Sequence, residues 1–170
     1  MTRNGPTYSR CQCVRGCGCE CIGVSQIHIF NKQAVGHRLA VSTRAFVYGE
    51  QLVYSGPRVA GANATTDGSV VVSFGPIGLE GKGMVLRGGY GFEVRAIDGR
   101  WRLAEIVANS SRTVTVVAIN KTGLTLPITG VRYGHDDDNS AFVGTGPAVF
   151  NGEGLPSTPW NLSVGEPVVQ

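Results

Sequence analysis

Phe92-Glu93-Val94-Arg95-Ala96-Ile97-Asp98-Gly99-Arg100-Trp101-Arg102-Leu103 is the stretch on which the fold of this chain turns. Phe92, Val94 and Ala96 alternate with Glu93 and Arg95, the two-residue period of a strand with one buried face. Asp98-Gly99 then supplies the strongest short hairpin signal in the chain. It leads directly into Trp101 to Val107, which reads as the returning strand. An antiparallel hairpin follows from these residues alone.

Outward from the hairpin the same punctuation recurs. Ser69 to Phe74 is rich in valine and reads as a buried strand, Met84 to Leu86 as a short one, and Thr113 to Ile119 as a β-branched one. Gly130 to Tyr133 and Ala148 to Phe150 complete the set. Leu52 to Tyr54 is a further short apolar run, closed by Ser55-Gly56-Pro57. The 25 glycines point to many turns. Short strands at this spacing predict a sandwich or barrel. We assign residues 58–170 to a β-sandwich domain, with Pro156, Pro159 and Pro167 in an extended tail that is ordered or frayed.

One helix precedes this region. From Asn31 to Tyr48, Val35, Leu39 and Phe46 fall on one side of a 3.6-residue period, with Ala34, Ala40 and Ala45 filling in and Val47 at the edge. Asn31 suits the N-cap and Gly49 the C′ stop. The apolar stripe needs a partner, either the β domain or neighbours outside the segment. Residues 1–26 show no periodicity and hold all five cysteines, between Cys11 and Cys21. Thiolate clusters bind soft metals, but structural zinc sites use pairs two to four residues apart joined by a longer loop. The spacing here favours an irregular segment over a metal site.

Composition excludes several functions. The net charge is +3 and charged residues make up 16%, with no basic run interleaved with aromatics, so nucleic-acid binding is not expected. No apolar run reaches the roughly 20 residues that span a bilayer, and no signal-peptide pattern is visible at the N-terminus. No cofactor motif is present. Four tripeptides match the N-glycosylation acceptor pattern, at Asn63, Asn109, Asn120 and Asn161. They point to a secreted or lysosomal parent protein.

The histidines divide by setting. His37 lies off the apolar stripe of the helix and reads as solvated. His135 opens His135-Asp136-Asp137-Asp138-Asn139, which lacks EF-hand spacing and reads as an acidic turn rather than a calcium loop. His28 sits just before the helix among Ile27, Ile29 and Phe30. No Gly-x-Ser-x-Gly elbow and no Gly-Asp-Ser segment occurs in the chain, so the nucleophile of a catalytic triad is missing. From residues alone, function stays open; a carbohydrate-binding or scaffold module is one reading, for which Tyr90, Trp101 and Trp160 are candidate glycan contacts.

Three segments taken in order carry a family resemblance. The first is Ile27-His28, Asn31-Lys32-Gln33, Val35-Gly36, Arg38-Leu39-Ala40, Tyr48-Gly49-Glu50 and Val53-Tyr54-Ser55-Gly56-Pro57. The second is Gly91-Phe92-Glu93-Val94 with Asp98-Gly99. The third is Val131-Arg132-Tyr133, followed by Asn151-Gly152-Glu153-Gly154-Leu155-Pro156 and Pro159-Trp160. Together they resemble the C-terminal part of the sialate O-acetylesterase family, whose catalytic domain is of the SGNH (GDSL-like) hydrolase type. The resemblance implies that residues 27–57 are the last helix and strand of an α/β hydrolase domain, and that the β-sandwich is an accessory domain. It implies that His28 is the catalytic base, with Ile29 where the family has proline and Ser25 where the triad acid is expected. The implied substrate is an O-acetylated sialic acid or another acetylated sugar, and the chain alone is expected to be inactive.

Overall fold

The computed structural model describes residues 32–88, 91–135 and 148–164. Their elements are one helix, α1 (Lys32–Phe46), and nine strands: β1 (Val59–Ala64), β2 (Val70–Phe74), β3 (Met84–Leu86), β4 (Phe92–Ala96), β5 (Trp101–Asn109), β6 (Thr113–Ala118), β7 (Ile128–Tyr133), β8 (Val149–Asn151) and β9 (Trp160–Ser163). The mainly β architecture preceded by one helix is the one the sequence predicts. Seven strands form a single sheet in the order β1-β2-β6-β5-β4-β7-β9, and β3 pairs with β8 in a separate ribbon. Every pairing is antiparallel. The two edge strands, β1 and β9, touch, so the sheet curls almost shut around one core. This is the barrel form of the sandwich-or-barrel expectation.

Alternation along the strands builds that core. Phe92, Val94 and Ala96 are fully buried, as are Val70, Val72, Val114, Val116 and Val131. β-branched side chains dominate because they fill a pleated, two-sided surface with little loss of rotamer freedom. Tyr133 and Trp160 stack 5.8 Å apart over one end, beside Phe92. The Tyr133 hydroxyl accepts hydrogen bonds from the backbone N–H of Ala148 and Val149, at 2.9 and 3.0 Å. Burial pushes that hydroxyl above its ordinary pKa, so it stays a neutral anchor for β8.

The expected hairpin is present. Arg95 pairs with Trp101, Gly99 N–H donates to Ala96 C=O, and the Asp98 carboxylate accepts from Arg100 N–H. The Arg102 guanidinium holds the same carboxylate at 2.7 Å. That charged partner and the backbone donor lower the Asp98 pKa to about 2.

Two expectations need correction, and the open choice at the tail becomes definite. Leu52 to Tyr54 is irregular rather than a strand, and no sheet strand pairs with it. The extended tail is ordered over β9, which joins the sheet as an edge strand with Tyr133 opposite Trp160 and Val131 opposite Leu162. The helix buries a different face: Val41 is buried and Ala34, Val35 and Ala45 are half-buried. Leu39 and Phe46, two of the three stripe residues, are 65% and 70% exposed. The helix stops two residues early, at Phe46, with Gly49 at φ 69° and Glu50 N–H returning to Arg44 C=O. This is the glycine-terminated C-cap expected at that position. No described helix is long and apolar enough to cross a membrane.

Candidate functional site

Leaving the helix, the chain runs from Gln51 to Ser55 along one wall of an open groove of about 370 Å³, with Ile77, Gly78 and Glu80 opposite. Tyr54 meets Phe46 edge-on, with ring centroids 4.7 Å apart. Beneath the groove three distant segments lock together. A Cβ on Gly56 would lie 2.0 Å from the Pro156 carbonyl oxygen, and one on Gly78 would lie 2.1 Å from the Gly56 oxygen. Gly78 also has φ 82°. Backbone approaches this close admit only glycine.

Asn151 ties the lock. It is fully buried. Its Nδ2 donates to Ser55 C=O at 3.0 Å, and its Oδ1 accepts from Leu155 N–H at 2.8 Å. This side-chain anchor holds Ser55, directly after the irregular stretch Leu52 to Tyr54. Glu153 adds a further tie, with Oε1 accepting from Lys82 N–H at 3.2 Å.

A second cluster lies on the outer face of the sheet. Arg132 meets the Glu93 carboxylate through two bonds of 2.7 and 2.9 Å, and its guanidinium lies 4.4 Å over the Trp101 ring. Arg95 approaches the same ring at 5.3 Å. The residues of the three resemblance motifs therefore converge as structure. Ser55-Gly56-Pro57 meets Asn151 to Pro156, and Glu93 meets Arg132.

The groove offers a tyrosine ring, the Gln51 amide, the Ser55 hydroxyl and the Glu80 carboxylate, groups that can hydrogen-bond and stack on a polyhydroxylated ligand. Among the described residues no serine is paired with a histidine for acyl transfer. The Ser55 hydroxyl donates to Gly56 C=O, and no described histidine hydrogen-bonds a serine or a carboxylate. His28 and Ser25, the positions singled out by resemblance, lie outside the described residues, as do Tyr90, the cysteine run and Asp136 to Asp138. Among the described residues no group of three or more His, Cys, Asp or Glu side chains is gathered as for a metal ion. His37 and His135 are exposed. Of the candidate aromatics, Trp160 is a core contact and Trp101 lies between two arginines on the outer face. The groove itself left no signal in the sequence. Ser55 and the asparagine that holds it are 96 residues apart.

No protein-family model matches the chain, and no curated protein matches it. A solved structure does. A carbohydrate acetylesterase from Xanthomonas citri is 31% identical with a TM-score of 0.62, over 81% of this chain and 29% of that one. This chain is similar to a carbohydrate esterase over most of its length. It spans less than a third of that esterase.

Proposed function

We propose that this chain is the C-terminal, β-rich part of a carbohydrate esterase that removes O-acetyl groups from sugars, with O-acetylated sialic acid as the substrate the motif resemblance points to. The likeness to a carbohydrate acetylesterase over 81% of the chain carries the reading. The hydrolase part of such an enzyme supplies a serine whose Oγ attacks the acetyl carbonyl. The ester C–O bond breaks as the acyl–serine bond forms. His28, as base, takes the serine proton and returns it to the departing sugar hydroxyl. Water then releases acetate by the reverse proton traffic. The described β domain fixes the exit of the helix that follows His28, through the Asn151–Ser55 tie.

Two measurements test this. Sequencing the transcript on the 5′ side of the Met1 codon should reveal an in-frame Gly-Asp-Ser segment, and a product without any serine nucleophile segment sinks the esterase reading. In the gene product that carries the serine, His28→Ala should abolish acetate release from O-acetylated sialic acid, while the purified 170-residue chain releases none. Serine-dependent turnover by the chain alone would overturn the assignment of the nucleophile elsewhere. A non-catalytic carbohydrate-binding role is the second reading, favoured by the open groove lined by Tyr54, Gln51 and Glu80. Binding on a glycan array without turnover in the serine-containing product would select it.

A further inference from the structure

Edge strands usually defend themselves. Lysine, proline or an inward charge on an edge keeps its unpaired N–H and C=O groups from recruiting another chain. β1 reads Val59-Ala60-Gly61-Ala62-Asn63-Ala64 and β9 reads Trp160-Asn161-Leu162-Ser163, with no charged residue and no proline in either. These are the two edges of the seven-stranded sheet, which touch without a ladder between them. Each carries one exposed asparagine, Asn63 and Asn161. Each of these begins an acceptor tripeptide.

The acceptor tripeptides are more frequent than composition explains. Eight asparagines, at the frequency of serine and threonine in this chain, should give about one match by chance, and there are four. The fold also sorts them. Of the five described asparagines, Asn63, Asn109, Asn120 and Asn161 are exposed and head an acceptor tripeptide, whereas Asn151 is buried and does not. The side-chain amide nitrogens of the four make no hydrogen bond among the described residues. Asn120 sits in an Asx turn, its Oδ1 accepting from Thr122 N–H at 2.9 Å. Asn109 and Asn120 lie at opposite ends of the β5–β6 hairpin.

We propose that Asn63, Asn109, Asn120 and Asn161 are N-glycan acceptors, and that the glycans on Asn63 and Asn161 shield the seam where the curled sheet stays open. The donor is a lipid-linked diphosphate oligosaccharide. The asparagine amide nitrogen forms a bond to its anomeric carbon, the bond from that carbon to phosphate oxygen breaks, the lipid diphosphate leaves with the electron pair, and the amide loses one proton. Bulky hydrophilic chains on the outer face of both edge strands then do what edge charges do in other sheets.

The test expresses the full chain behind a secretion leader in eukaryotic cells. Glycan removal by peptide-N-glycosidase in ¹⁸O water should convert all four asparagines to labelled aspartate. Asn63→Gln with Asn161→Gln should raise the aggregated fraction on size-exclusion chromatography by about threefold or more, whereas Asn109→Gln with Asn120→Gln should not. If the first pair is poorly secreted, enzymatic trimming of the folded glycoprotein gives the same readout. An unlabelled Asn63 or Asn161 overturns the proposal. So does equal aggregation of the two double variants, or a trimmed protein as monodisperse as the untrimmed one.

Discussion

The helix and the sheet differ in how they use their apolar residues. In the sheet, β2, β4 and β6 point their alternate side chains into one shared core, and most of those residues are below 1% exposure. In α1 a single residue, Val41, is buried, and it lies outside that core. Leu39, Phe46, Val47 and Tyr48 are 65–73% exposed around its C-terminal half. What holds the helix end is local: the glycine cap, the Arg44–Glu50 ion pair and the Phe46–Tyr54 contact. Exposed ion pairs and caps contribute far less than buried aromatic and branched side chains, whose truncation costs about 2–5 kcal/mol each. Stability therefore resides in the sheet, and the helix contributes surface.

The largest test of that contrast is Phe92→Ala, at the centre of the sheet between Tyr133 and Ala104. It should cost about 3–5 kcal/mol, read from the denaturant midpoint. Asn151→Ala comes next. It leaves the Ser55 carbonyl and Leu155 N–H without their partner in a buried site, and a loss of about 2–3 kcal/mol is expected. Because the tie also fixes the chain leaving α1, proteolysis between Tyr48 and Ser55 should speed up as well. Uniform resistance there would place the anchor elsewhere.

A pH titration gives a smaller effect. Asp98 falls from 3.8 to about 2 in the fold and Asp67 does the same, held by hydrogen bonds from Thr65 and Ser69. A depressed carboxylate stabilises the fold above its unfolded value, and the contribution is lost as pH falls through the folded one. The melting temperature should therefore drop between roughly pH 4 and pH 2. Asp98→Asn should flatten part of that drop and leave the part due to Asp67. The smallest effect belongs to the helix: Leu39→Ser should change stability by no more than about 0.5 kcal/mol. A loss several times larger would mean that this face is covered in the protein under assay.

Not all of the site was legible in the same way. Ser55-Gly56-Pro57 and Asn151 to Pro156 stand out as turn-rich segments, and both belong to the family resemblance. That Gly56 must accept the Pro156 carbonyl against its Cα, or that Asn151 holds the Ser55 carbonyl, has no local signature. The aromatics illustrate the same limit. Trp101 and Trp160 look alike in sequence, yet one lies between two arginines outside the sheet and the other stacks on Tyr133 inside it.

By itself the sequence determined the β4–β5 hairpin, strands β2, β3, β6, β7 and β8, the helix and its glycine stop. Alternation, Asp-Gly and the helical period act over a few residues and need no partner to be read. The tertiary structure alone decided that Ala- and Gly-rich β1 and the proline-flanked β9 become edge strands, that Leu52 to Tyr54 does not, and that α1 turns Val41 rather than Leu39 inward. For β1 and β9 the deciding hydrogen bonds come from other strands, β2 and β7. A weak local preference yields to whichever partner satisfies the backbone and buries the side chain.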